Sequence, residues 1–125
     1  MSTTPTTFAT VINEGSVALY QSSLVDELGV AIGSGRVDAL TLTLANKADG
    51  SIINSRSDQN VLNANNVTVS AGGALAYVLQ TADTAMIDTD LPTETHVATF
   101  KMQYDTVSFS NWDVEFIIRN LEQVP

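Results

Sequence analysis

The segment Val37-Asp38-Ala39-Leu40-Thr41-Leu42-Thr43-Leu44-Ala45 is the clearest indication of fold class in the sequence. Leucine alternates with threonine in it, which puts the leucines on one face of an extended chain and the threonines on the other. Threonine is β-branched and suits a solvated pleated surface. We therefore predict a β-strand over 37–45 with one buried face.

The same two-residue period recurs in three later segments of the chain. The alternating apolar sets are Leu75, Tyr77 and Leu79; Ala98, Phe100, Met102 and Tyr104; and Trp112, Val114, Phe116 and Ile118. Turn formers such as Asp49-Gly50 and Gly72-Gly73 separate the apolar segments. Strands at this spacing predict an all-β fold, a single immunoglobulin-like antiparallel β-sandwich of seven to eight strands.

The strand map leaves three connecting segments to assign. The predicted strands lie at 7–13, 16–21, 37–45, 51–56, 67–70, 74–80, 95–105 and 112–120. The segment 22–32 fits either a hairpin loop at 26–29 or a short helical turn, and both alternatives stay open. A capping residue ahead of a short apolar group predicts one helical turn in 81–87. The residues 108–111 are predicted to form a turn.

One domain is expected from a chain of 125 residues. Residues 9–125 are predicted to form the sandwich, and the polar residues 1–8 a flexible N-terminal arm. The chain has neither a long apolar run nor a leader of signal-peptide type, so we expect it to be soluble and not exported by the usual leader. The absence of cysteine excludes disulfides, a thiol nucleophile and cysteine metal sites.

Acidic residues dominate the charge of the chain. Five Lys and Arg stand against fourteen Asp and Glu, which gives a formal net charge of -9. Phosphate backbones and anionic lipid surfaces repel such a protein, so neither nucleic acid nor a membrane is an expected partner. The scarce arginines Arg36, Arg56 and Arg119 are expected to make specific structural pairs.

Residues capable of chemistry are few and match no known catalytic arrangement. His96 is the single histidine; no nucleophile motif accompanies it, and a zinc site would need further His or Cys ligands. Asp83, Asp88 and Asp90 are weak candidates for binding a hard cation, although an acidic surface loop explains them more simply. We therefore expect no enzymatic activity, no catalytic residue and no cofactor.

Six segments together resemble a known family. They are Ile12–Ser16, Asp49–Arg56, Asn60–Val67, Ala82–Thr84, Glu94–His96 and Arg119–Pro125. In this order they resemble immunoglobulin-like proteins encoded among the virion structural genes of tailed bacteriophages, over nearly the whole chain after residue 10. The matching motifs are structural and carry over no active-site residue.

The resemblance implies a non-enzymatic structural component of the virion, attached as a rigid β-sandwich to the capsid, neck or tail. It implies assembly in the host bacterial cytoplasm, with phage capsid, connector or tail proteins and further copies of the chain, as a homo-oligomer or in many copies, as partners. A carbohydrate- or host-surface-binding module is the alternative function, and exposed aromatic residues in a concave patch would favour it.

Contacts with partners are expected from exposed irregular segments: the arm, the loop at 22–35 and the acidic loop at 88–95. The residues predicted to make these contacts are Ser2, Thr3, Thr4, Pro5, Phe8, Leu24, Val25, Leu28, Asp90 and Leu91.

Overall fold

Two β-sheets face each other in the computed structural model, which describes residues 6–8 and 10–121. The strands are β1 (Thr6–Thr7), β2 (Ile12–Asn13), β3 (Ala18–Ser23), β4 (Val37–Asn46), β5 (Gln59–Asn60), β6 (Val67–Val69), β7 (Ala74–Leu79), β8 (Thr93–Tyr104) and β9 (Ser108–Arg119). A 3-10 turn at Ser34–Arg36 precedes β4. Within the described ranges, no helix has the length and hydropathy needed to span a membrane.

The strand order is that of an immunoglobulin-like sandwich. The larger sheet has the order β1-β9-β8-β4-β5, and β2 follows β1 along the same edge of β9. The smaller sheet has the order β3-β7-β6. Only β1 and β2 run parallel to their neighbour β9 among the described strands. Counted as one interrupted strand, they bring the sandwich to eight strands, with β4, β8 and β9 as its C, F and G strands.

The alternating apolar residues form the core between the sheets, as predicted. Leu40, Leu42 and Leu44 of β4 have no exposed surface, and the intervening threonines lie on the outer face. Burying a side chain of this size contributes about 1.5–3 kcal/mol. Aromatic rings from both sheets meet at the centre, where Tyr77 contacts Phe100 and Phe116 at ring-centroid distances of 6.1 and 6.4 Å.

The predicted strand at 51–56 is wrong. An isolated bridge joins Ile52 to Ala45, after which Asn54 and Ser55 both take left-handed backbone conformations with φ of 55° and interrupt any strand. These residues turn the chain so that the Arg56 side chain enters the interior. The edge position beside β4 is taken instead by β5.

The predicted turn at 108–111 is also wrong, because these residues belong to β9. The chain reverses at 105–107, where Asp105 and Thr106 have φ of 50° and 71°, and Tyr104 pairs with Ser108. The polar residues that suggested a turn lie instead at the start of a long strand. Local turn propensity is outweighed here by pairing that runs the whole length of β8.

The two remaining segments form turns without a helix. In 81–87 the structure has a hydrogen-bonded turn, closed by the Asp83 N–H that donates to Gln80 O at 2.9 Å. The segment 22–32 adopts the hairpin alternative, since Val25 and Ala31 form an antiparallel bridge around a turn at 26–29.

The sandwich already includes residue 6, within the range predicted as a flexible arm. Thr6 pairs with Val114, and the Phe8 N–H donates to Glu115 O at 2.8 Å. The Phe8 ring lies 5.3 Å from that of Phe116. Residues 1–5 of the predicted arm lie outside the described residues.

Gly33 allows two loops to touch. A Cβ atom at Gly33 would lie 2.1 Å from the backbone oxygen of Ala71, whereas a Cβ at Gly35 would meet nothing within 4 Å. We predict that Gly33→Ala lowers the free energy of unfolding by about 1–3 kcal/mol, because backbone must move to relieve the clash. Gly35→Ala is the matched control and should lose much less. Urea unfolding measures both, and equal losses would contradict the prediction.

Candidate docking surfaces and the buried ion pair

Arg56 is 2% exposed and is among the largest fully buried side chains. Its guanidinium makes a bidentate ion pair with Asp83, with Nε to Oδ1 at 2.6 Å and Nη2 to Oδ2 at 3.1 Å. The other N–H groups donate to Gln59 Oε1, Asn65 O and Asn66 Oδ1. All five guanidinium donors therefore have acceptors, which offsets the cost of burying the charge.

Asp83 is fully buried and uses both carboxylate oxygens inside the protein. Oδ1 also accepts from Asn54 Nδ2, and Oδ2 accepts from the Gln80 N–H, both at 2.8 Å. Burial alone would raise the pKa of Asp83, but the hydrogen bonds from Arg56, Gln80 and Asn54 outweigh it and hold the pKa below its usual value. Asp83 thus serves an internal ion pair rather than the cation site for which it was a weak candidate.

His96 and Glu94 form a second buried pair beside the first. His96 Nε2 lies 2.6 Å from Glu94 Oε1, and Nδ1 lies 3.0 Å from the backbone oxygen of Asp83. Glu94 also accepts the N–H groups of Ile87 and Asp88, each at 2.8 Å. Burial opposes ionisation, but these N–H groups and His96 lower the pKa of Glu94. His96 is therefore a structural histidine that links β8 to the turn containing Asp83.

The acidic loop before β8 exposes the other predicted residues. Asp88, Asp90 and Leu91 all have exposed side chains, and Asp88 Oδ1 accepts the Asp90 N–H at 3.0 Å. Across residues 6–8 and 10–121, no group of three or more His, Asp or Glu side chains has an arrangement that could hold a metal ion. Asp90 and Leu91 stay available as predicted contact residues.

Arg36 holds together the loops at one end of the sandwich. Its Nη2 lies 3.0 Å from Asp26 Oδ2, and its Nε donates to Asp105 Oδ1 at 3.0 Å. This end corresponds to the end of an antibody variable domain that carries its antigen-binding loops. Exposed apolar side chains cluster in the joined segments: Val25, Leu28, Val30, Val107 and Phe109.

The predicted contact residues differ in how far their side chains are exposed. Val25 and Leu28 are exposed at the Arg36 end, Leu28 by 82%. Leu24 is buried in the core, and Phe8 packs against the core of its own domain, so neither offers its side chain freely to a partner. The predicted contacts at Ser2, Thr3, Thr4 and Pro5 lie outside the described residues.

The expectation that scarce arginines make specific ion pairs is confirmed for Arg36 and Arg56. Arg119 instead donates from Nε to the side-chain oxygen of Asn13 at 3.1 Å. The partners of Arg56 are far away in sequence, so local pattern alone did not identify Asp83 as one of them.

The smaller sheet carries no charge, a feature that sequence reasoning overlooked. Residues 15–25 and 59–82 contain no Asp, Glu, Lys, Arg or His, and β3, β6 and β7 all lie within them. Leu19 and Val78 are cross-strand neighbours exposed on the outer face of this sheet. Small and polar uncharged residues complete that face: Gln21, Ser23, Thr68, Ala74 and Ala76. The charged residues of the chain therefore all lie outside this sheet.

The outer edge of β3 is open along its whole length within the described part of the chain. The Leu24 N–H donates to Gly73 O at 2.8 Å, which continues the β3–β7 ladder. Hydrogen-bonded and non-hydrogen-bonded pairs alternate in an antiparallel ladder. The N–H and C=O groups of Leu19, Gln21 and Ser23 therefore point away from β7, towards the open edge.

Shallow cavities flank both ends of this edge. At the start of β3, a cavity of about 320 Å³ is lined by Phe8, Thr10, Val11, Ile12, Asn13, Ser16, Val17, Ala18 and Leu19. At its end, a cavity of about 170 Å³ lies between the two sheets and is bordered by Leu24, Val25 and Trp112. No charged residue lines either cavity.

The chain has no match among protein-family models, curated proteins or solved structures. Its fold is established by the observed strand order.

We predict that Arg56→Ala lowers the free energy of unfolding by about 3–5 kcal/mol, because it leaves Asp83 buried without its partner. Urea unfolding measures the loss. Lys47→Ala, which removes the more exposed ion pair with Glu115, is the control and should change little. The double variant Arg56→Met/Asp83→Leu should lose less free energy of unfolding than Arg56→Met alone or Asp83→Leu alone. A loss in the double variant equal to the sum of the two single losses would contradict the argument.

Acid should weaken the fold through Asp83 and Glu94. Both pKa values are lowered in the folded state, so the unfolded chain takes up more protons as the pH falls. Their stabilisation is complete above the unfolded carboxyl pKa of about 4 and is lost as the pH falls through the folded values. Urea unfolding at several pH values below 5 should show a shallower pH dependence for Glu94→Gln than for wild type. The exposed-site control Asp90→Asn should retain the wild-type dependence, and identical curves for all three proteins would refute the assignment.

Proposed function

We propose that this chain is a non-enzymatic structural component of a tailed-phage virion, attached as a rigid β-sandwich to the capsid, neck or tail. The observation that carries the proposal is the uncharged smaller sheet on a chain of net charge -9. The family resemblance of the six sequence segments supplies the virion as the setting.

Charge segregation supports docking into a repeated assembly. Copies of an acidic chain repel one another wherever carboxylates face each other. The outer face of the smaller sheet avoids this cost, and its exposed Leu19 and Val78 offer apolar area to a partner. Depletion of charge with retention of apolar side chains is typical of the centre of a protein interface.

The buried ionisable side chains of this protein pair with one another and stabilise the fold. Arg56 and Asp83 bind each other, and His96 and Glu94 do the same, with all four side chains buried. Their donors and acceptors hold loops to strands. This use of the charged interior suits a rigid spacer.

The carbohydrate-binding alternative receives less support. Phe109 is exposed, but Trp112 stacks on Phe100 at 5.2 Å, and Tyr20 stacks on the same ring at 6.0 Å. Sugar-binding platforms need exposed aromatic faces grouped in a concave surface. The large aromatic side chains of this protein are instead used mainly within the sandwich.

The composition of purified particles tests the proposal. Tailed-phage particles from the host that carries the gene should contain the chain in many copies after density-gradient purification, as measured by quantitative mass spectrometry. Immunogold labelling would locate it on the capsid, neck or tail. Recovery of the chain only in the particle-free fraction would overturn the proposal.

The uncharged sheet can be tested in the same system. Val78→Lys puts one charge on its outer face, and Phe109→Lys puts one charge on the exposed face of the larger sheet. With particles that lack the chain, we predict at least a tenfold loss of binding for Val78→Lys and a small change for Phe109→Lys. Co-sedimentation measures both, and equal losses would exclude the smaller sheet as the attachment face.

A further inference from the structure

We propose that two copies of this chain pair through the open edge of β3, antiparallel about a two-fold axis at Gln21. The two three-stranded sheets would then become one continuous six-stranded sheet. The pairing concerns the chain alone and goes beyond its attachment to a virion.

The backbone of β3 has hydrogen-bonding groups that face away from the rest of its sheet. Leu19, Gln21 and Ser23 direct their N–H and C=O groups to the side opposite β7, where no described strand lies. An open edge of this kind is a template for an added strand. Pairing would satisfy these groups with an equivalent set from the second copy.

β3 also lacks the features that usually block an edge. It has no charged residue and no proline, and its pairing with β7 runs through six residue pairs without a bulge. Other open edges differ: β5 and β6 have two and three residues, and the unpaired half of β9 contains Asp113. β3 is thus the longest uncharged edge in the described structure.

A second copy is the occupant that the residues favour. An antiparallel pair of identical strands has two-fold symmetry, so one edge is its own complement. An axis at Gln21 pairs Leu19 with Ser23 and, just beyond the strand, Val17 with Val25 of the other copy. Val17 and Val25 are 60% and 53% exposed, and this register covers both of them at each end.

Electrostatics favours the same partner. Every residue from 15 to 25 is uncharged, so two acidic copies can approach here without placing like charges opposite each other. A single strand edge covers less area than the roughly 1,200–2,000 Å² of a stable interface, so the dimer is expected to depend on concentration. Many copies held in one assembly would favour it further.

Disulfide trapping tests the register directly, because the chain has no cysteine of its own. In Gln21→Cys, the two new residues would face each other as a hydrogen-bonded pair with Cα atoms about 5.5 Å apart. This distance lies inside the range of about 4.4–6.8 Å that a disulfide bridges. Under mild oxidation, we predict at least tenfold faster dimer formation for Gln21→Cys than for Thr68→Cys. Thr68 is exposed on the same face, but it lies on β6, two strands away from β3.

A charge at the edge supplies the second arm of the test. Leu19→Lys/Ser23→Lys in the Gln21→Cys background puts two pairs of like charges directly opposite each other across the axis, and trapping should fall to the Thr68→Cys rate. Circular dichroism would verify that both variants keep the sandwich. Equal trapping at positions 21 and 68, or trapping that Leu19→Lys/Ser23→Lys leaves unchanged, would overturn the proposal. Particle binding by the reduced Gln21→Cys chain tests virion attachment separately.

Discussion

The buried guanidinium of Arg56 is the constraint on which the irregular parts of the sandwich depend. A cation without access to water must find an acceptor for every N–H group, and here those acceptors come from the β4–β6 connection and from Asp83 after β7. The backbone oxygen of Asp83 in turn lies within hydrogen-bonding distance of Nδ1 of His96, which belongs to β8. One charge thereby fixes segments that have little regular hydrogen bonding of their own, and it connects the two sheets at the same point.

The placement of charge distinguishes the two sheets of the molecule. Arg36 and Arg56 are used to position loops, while the larger sheet and the loops carry the acidic surplus. The smaller sheet stays neutral on its face and along its open edge. In the proposed assembly, repulsion between acidic surfaces would limit where copies can meet, so the neutral sheet would supply specificity of contact as well as area.

The regular strands could be predicted from the sequence because a two-residue period reports burial directly, as at Leu40, Leu42 and Leu44. The two-residue period does not predict which partner a polar residue has once the strand has ended. Arg56 lies 27 residues from Asp83, and their attraction turns the chain at 51–56, where local pattern favours a strand. The exposure of Val25 and Leu28 could be predicted because irregular loops usually lie at the surface. The open edge of β3 could not, because a strand's own side chains do not show which neighbours it has.

The parallel pairing of β1 and β2 with β9 brings the first and last strands of the described structure together. Thr6 lies beside Val114, and Asn13 lies beside Arg119. During synthesis, β9 leaves the ribosome after β1 to β8, so β3 to β8 can pair while β1 and β2 still lack their neighbour. The edge of the larger sheet is therefore completed late. Closing a loop of about a hundred residues costs entropy, so we expect the pairing of β1 and β2 with β9 to form late in folding.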